Sequence, residues 1–140
     1  MTKKQESDPQ IGTVLDPKMA PRRLKKGLVP SDTGIYLRVE ESPRAVSTGV
    51  VLTLSSGGVY VIGREGADIV LEGEKVSRKH AELGLFGPGA YVLRDLASTN
   101  GTLLNGRQVS DRTKIRHDDV IKIGDFMLRL FVVENSIKPA

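Results

Sequence analysis

The chain has no cysteine and no tryptophan, two histidines, and six tyrosines and phenylalanines together among 140 residues. Without cysteine there can be no disulfide and no thiolate metal site. His80 and His117 alone cannot complete a structural zinc centre, so neither a metal nor a cofactor is expected. So few aromatic rings argue against the stacking platform that single-stranded nucleic acid requires. No apolar run approaches the roughly 20 residues of a membrane helix, and membrane insertion is not expected. A secretory leader is not expected either, because Lys3 and Lys4 are followed by Gln5, Glu6, Ser7 and Asp8 where an apolar segment should begin. The expectation is a cytoplasmic, monomeric chain.

The formal net charge of +4 is unevenly spread. Residues 1–34 carry seven bases and four acids, whereas residues 35–140 carry fourteen bases and thirteen acids. The body therefore has no strong field of one sign, and the basic character belongs to the first segment. That segment holds four of the seven prolines, little apolar periodicity, and a basic cluster at Arg22, Arg23, Lys25 and Lys26. Such a composition buries too little apolar area to offset chain entropy, so residues 1–34 are expected to form a flexible, disordered basic arm.

From Ile35 onward the pattern changes to short runs of period two. Ile35, Leu37 and Val39 share one face, as do Val50, Leu52 and Leu54, and then Phe126, Leu128, Leu130 and Val132. Further strands are expected at residues 59–62, 69–71, 81–86, 90–93 and 120–123. Between them stand Gly57-Gly58, Gly63 with Gly66, Gly87-Pro88-Gly89, Asn100-Gly101, Asn105-Gly106 and Gly124-Asp125, all turn formers that tolerate positive φ. Residues 74–83 have the composition of a helix, but their turn-rich flanks leave too short a stretch to sustain one. The expected architecture is an all-β sandwich of two antiparallel sheets over residues 35–134, with a short tail at 135–140.

Three polar clusters fall in the turns: Gly63-Arg64, Ser77-Arg78-Lys79-His80, and Ser98-Thr99-Asn100-Gly101-Thr102 with Asn105-Gly106. In this order, with Asp95-Leu96 ahead of Ser98, they resemble the forkhead-associated (FHA) family over about residues 35–134. The resemblance implies a sandwich with polar binding loops at one end and a function as a phosphothreonine-dependent protein-binding module in Ser/Thr kinase signalling. It further implies that Arg64 and Ser77 bind phosphate, that Thr99 lines the pocket, that Asn100 fixes the peptide backbone, and that Arg78 is a secondary contact. Gly63, His80, Gly101 and Asn105 then shape and tether the loops. Residues 74, 75, 78 and 101–107 fall where the family varies with peptide preference. Some small members carry a phosphorylatable threonine in their tail, which makes Thr13, followed by Asp16, a candidate regulatory phosphosite.

The chemistry of the residues agrees with that implication. A phosphate monoester dianion offers three acceptor oxygens, and a reader must bring convergent donors to it on rigid loops. Arg64 supplies a planar, permanently charged fork, and Ser77 a hydroxyl. Plainer readings also exist: Arg64 as a solvated turn residue, Ser77 as a turn cap, Thr99-Asn100 as a simple hairpin turn. His80 is read as structural. Among other functions, a catalytic one would need Ser77, His80 and Asp95 to assemble, but there is no Gly-x-Ser-x-Gly elbow and no phosphate-cradling glycine loop. Nucleic-acid binding through the basic arm, and a scaffold that docks unphosphorylated protein surfaces, are the remaining alternatives.

Overall fold

The computed structural model describes residues 33–43 and 48–134, together with the backbone of two short strands, β1 (Gln10–Ile11) and β2 (Arg22–Leu24). The other residues of the expected arm, Thr13 among them, and the tail at 135–140 lie outside the described residues. Eleven further strands follow: β3 (Gly34–Glu41), β4 (Val51–Leu54), β5 (Gly58–Gly63), β6 (Ile69–Val70), β7 (Ala81–Leu85), β8 (Tyr91–Asp95), β9 (Thr102–Leu104), β10 (Arg107–Gln108), β11 (Thr113–Lys114), β12 (Val120–Ile123) and β13 (Phe126–Val133). No helix occurs among the described residues, residues 74–80 included.

The strands form two sheets, one ordered β1-β6-β5-β7-β8-β11 and the other β10-β9-β12-β13-β3-β4-β2. All pairs are antiparallel except β5 and β6, which run parallel with Ile62 opposite Ile69 and Gly63 opposite Val70. The two antiparallel sheets expected from the sequence are thus present, with this one short parallel pairing inside the first. The five residues between β5 and β6 are too few for a conventional crossover, but each strand contributes only two residues to the pairing.

The period-two faces read from the sequence become the core. Across β3 and β13, Val39 lies opposite Leu128, Leu37 opposite Leu130, and Ile35 opposite Val132. The other sheet supplies Tyr60, Ile62, Ile69, Leu83, Leu85 and Leu93, and all of these are buried. The one polar end of the largest of these side chains is satisfied, because the Tyr60 hydroxyl accepts the Ser55 N–H at 2.7 Å. Burying that many large apolar groups is the main source of stability, at roughly 1.5–3 kcal/mol for each.

Register also places the loops. Ile62 pairs with Ala81 and Ala81 with Asp95, so β5 ends, β7 begins and β8 ends at the same edge of the sandwich. Thr102 pairs with Ile123, which brings the start of β9 and the β12–β13 turn to that edge as well. The polar clusters of the sequence are therefore neighbours in space.

Residues 105 and 106 show how local sequence fixes this arrangement. Leu104 pairs with Arg107, so the β9–β10 hairpin closes through Asn105 and Gly106 alone, with φ of 50° and 86°. That is the primed turn an Asn-Gly pair favours. The Asn105 side chain also donates to Asp119 Oδ1 at 3.0 Å and accepts the Val120 N–H at 2.9 Å, pinning the hairpin to β12. Asn105→Ala should lower unfolding free energy by about 1–3 kcal/mol through the lost bonds and the disfavoured φ. A urea-denaturation midpoint equal to the parent's would show that the tether contributes nothing.

Candidate functional site

At the loop edge an open depression of about 340 Å³ is lined by Arg64, Ser77, Arg78, Thr99 and Asn100, with Glu74, Lys75 and Val76 completing its wall. All five residues singled out for ligand contact thus meet around one hollow. Each arrives there for a local reason.

Arg64 follows directly on β5. Its N–H donates to Ser77 O at 2.9 Å, and its side-chain Nε–H donates to Val76 O, also at 2.9 Å. One guanidinium donor is thus spent on direction, and the two terminal amino groups remain for a ligand. Nη1 lies 3.6 Å from the exposed Glu65 carboxylate, a loose pairing that an incoming anion can replace.

The loop carrying Ser77 rests against Gly63 itself. A Cβ on Gly63 would fall 1.9 Å from Arg78 O and 2.7 Å from the Arg78 carbonyl carbon. Only a residue without a side chain lets the two backbones come this close. His80 holds the same loop from its other end. It is fully buried; its Nδ1 accepts the Ser77 N–H at 2.9 Å, and its Nε2 donates to Gly101 O at 2.8 Å. A backbone N–H only donates and a carbonyl only accepts, so the partners assign a neutral ring protonated at Nε2.

Ser77 and Thr99 are joined across the two loops. The Ser77 hydroxyl accepts the Thr99 N–H at 3.0 Å, which leaves its own hydrogen free to donate. Asn100 donates through Nδ2 to Lys75 O at 3.1 Å, keeping its Oδ1 and second N–H for another partner. Arg78 is exposed, and its guanidinium has no partner among the described residues. Its neighbour Lys79 is turned elsewhere, with its ammonium on Gly66 O at 2.8 Å, and does not line the hollow.

The β8–β9 loop, residues 96–101, is shaped by Asp95, a role the sequence reading did not assign. Its carboxylate accepts the Ser98 N–H at 3.0 Å, the Ser98 hydroxyl at 2.6 Å and the Thr102 hydroxyl at 2.7 Å. Ser98 Oγ in turn accepts the Gly101 N–H at 2.9 Å, and Gly101 and Ala97 take φ of 85° and 54°. The spacing Asp-x-x-Ser was the available signal, since an aspartate reaching forward to close its own turn is a common device. Burial would raise the Asp95 pKa, but the bonds from the Ser98 side chain, Thr102 and the Ser98 N–H outweigh it and hold the carboxyl below its ordinary value.

Ser77, His80 and Asp95 do not form a catalytic triad. Both His80 ring nitrogens are committed to backbone groups, and Asp95 is bonded to Ser98 and Thr102 instead of the imidazole. What the hollow offers is two arginines, a free hydroxyl hydrogen and a side-chain amide, a donor set suited to holding an anion attached to a peptide.

The model of the FHA domain family matches residues 60–124, which include every lining residue. The chain is 33% identical over 95 residues to the FHA domain-containing protein FhaB of Mycobacterium tuberculosis, a span of 68% of this chain and 59% of FhaB. It is 31% identical to the FhaA FHA domain in its crystal structure complexed with the intracellular domain of Rv3910, covering 69% of this chain and 98% of that one with a TM-score of 0.59. It also matches Mycobacterium tuberculosis EmbR in complex with a low affinity phosphopeptide, at 27% identity and a TM-score of 0.62, over 76% of this chain and 26% of EmbR. The chain belongs to the forkhead-associated domain family. It spans less than two thirds of the length of the curated relatives it matches.

Two outcomes follow from this geometry. Gly63→Ala should displace the Ser77–Arg78 backbone, moving the amide resonances of residues 77–80 and costing about 1–3 kcal/mol as an overpacked contact; unmoved resonances would mean that the close approach is not needed. The second outcome concerns acid. A folded-state pKa below the unfolded value means the unfolded chain binds the proton more readily, so the Asp95 contribution is complete above about pH 4 and lost as pH falls through the folded value. The stability gap between parent and Asp95→Asn, read from urea denaturation between pH 6 and 2, should narrow towards acid. A gap that stays constant would remove Asp95 as the cause.

Proposed function

We propose that the chain is a phosphothreonine-dependent protein-binding module of a Ser/Thr kinase signalling system, acting in the cytoplasm and without catalysis of its own. The observation that carries this reading is the convergence of Arg64, Ser77, Arg78, Thr99 and Asn100 on one hollow whose donors are already oriented. Phosphate would meet the terminal nitrogens of Arg64 and the Ser77 hydroxyl, with Arg78 adding charge from the rim. Thr99 would line the threonine's methyl side, and Asn100 would take the peptide backbone through its unspent amide groups. The likeness to FHA domains solved with a phosphopeptide and with a protein partner supports the same assignment.

Pre-orientation matters to the energetics. A charge-assisted hydrogen bond contributes about 1.5–3 kcal/mol, and less is lost to ordering when the donor is already held. Two or three such bonds supply much of the free energy that holding a short phosphopeptide requires.

Calorimetry with a phosphothreonine peptide and its unphosphorylated twin tests the proposal. The phosphorylated form should bind at least tenfold more tightly, and Arg64→Ala should reduce that affinity by at least tenfold, since about 1.4 kcal/mol is a decade. Equal affinity for the two forms would remove phosphate reading and leave a scaffold for unphosphorylated protein.

A further inference from the structure

The hollow at Arg64 and Ser77 is the middle of a longer trough. On one side it shares Arg64 and Glu74 with a hollow of about 470 Å³ whose remaining walls are Glu72 and Gly73. On the other it shares Lys75 and Asn100 with a hollow of about 290 Å³ that Leu103, Lys122 and Asp125 help to line. The two flanks differ in charge.

Glu72 and Glu74 are exposed, and neither carboxylate has a partner among the described residues. They stand beside the cationic hollow with their charge uncompensated. On the opposite flank Lys75 pairs with Asp125, and the half-buried Lys122, its ammonium on Gly124 O at 3.2 Å, lines the same hollow. The Lys75–Asp125 pair is loose, at 3.8 Å with side chains 64% and 54% exposed, and such pairs exchange readily. A carboxylate arriving on a ligand can take Asp125's place on Lys75 while Lys122 adds its field. The spacing of this flank is fixed by backbone contacts. Asn100 holds Lys75 O, and Gly124 comes so close to the Lys75–Val76 segment that a Cβ there would lie 3.3 Å from the Lys75 carbonyl carbon.

We infer that the site selects phosphopeptides of asymmetric charge, with a basic side chain on the Glu72–Glu74 side of the phosphothreonine and an acidic one on the Lys75–Lys122 side. This rests on the phosphothreonine reading and adds to it the class of partner sequence. Reversing the order of charges converts two attractive rim contacts into two repulsive ones, so discrimination comes as much from rejecting the wrong order as from favouring the right one. Because Glu72, Glu74 and Lys75 are exposed, the discrimination shrinks as salt rises.

The test uses the full chain and two phosphothreonine peptides of identical composition and net charge. One has arginines before and glutamates after the phosphothreonine; the other has them reversed. Fluorescence anisotropy at low salt should show one order binding about tenfold more tightly, and the winning order gives the direction in which the peptide lies. A Glu72→Gln, Glu74→Gln double variant and a Lys75→Gln, Lys122→Gln double variant should each bring the ratio closer to one. Equal affinity for the two orders, with both still stronger than their unphosphorylated forms, overturns charge selection alone. A preference untouched by both double variants overturns it too, and failure of both peptides to bind overturns the phosphothreonine reading with it.

Discussion

A buried neutral imidazole joins the two loops on which the site depends. His80 takes the Ser77 N–H on one nitrogen and gives its proton to Gly101 O with the other. The ring has no exposed surface, so neither bond competes with water. Remove it and two backbone groups lose their partners in the interior while the loops lose their common reference. The Ser77–Thr99 and Asn100–Lys75 bonds across the hollow are then left to hold a gap that nothing behind them fixes.

Around that histidine the other constraints divide the work by loop. Gly63 lets the Ser77 loop lie directly on the end of β5, and the Arg64 side chain is tied down to Val76 O in the same stretch. Asp95 closes the β8–β9 loop by collecting three hydrogen bonds, and so presents Thr99 and Asn100. Gly63, His80 and Asp95 do not line the hollow. Arg64, Ser77 and Asn100, which do, each keep at least one donor uncommitted, the usual compromise of a binding site between rigidity and vacancy.

Much of this could be read from the sequence because burial follows a period of two. The runs beginning at Ile35 and Phe126 announced β3 and β13, and Val120–Ile123 was read with its observed ends. β9, β10 and β11 gave no such sign, since two or three residues are too few to show alternation, and their pairing is imposed by the longer strands beside them. β1 and β2, which pair with β6 and β4, are likewise too short to show a period. At the site, phosphate chemistry pointed to Arg64 and Ser77, whereas Thr99 and Asn100 were implied by the resemblance to the family. The Val76 carbonyl that aims Arg64 was illegible, because every residue carries the same backbone group and only the fold decides which one Arg64 meets. The divergence of Arg78 and Lys79 was equally hidden, because two adjacent bases differ in direction only once the loop is folded.

The chain changes sheets between β8 and β9, and that crossing is the loop holding Thr99 and Asn100. Arg64 and Ser77 belong to the first sheet's side, whereas the β12–β13 turn leaning on Lys75 and Val76 belongs to the second. Anything gripped at once by Arg64, Ser77 and Asn100 therefore acts as a clasp between the two layers. Mechanical load that shears one sheet past the other must open this edge, so the force the fold withstands and the grip on its ligand rise and fall together.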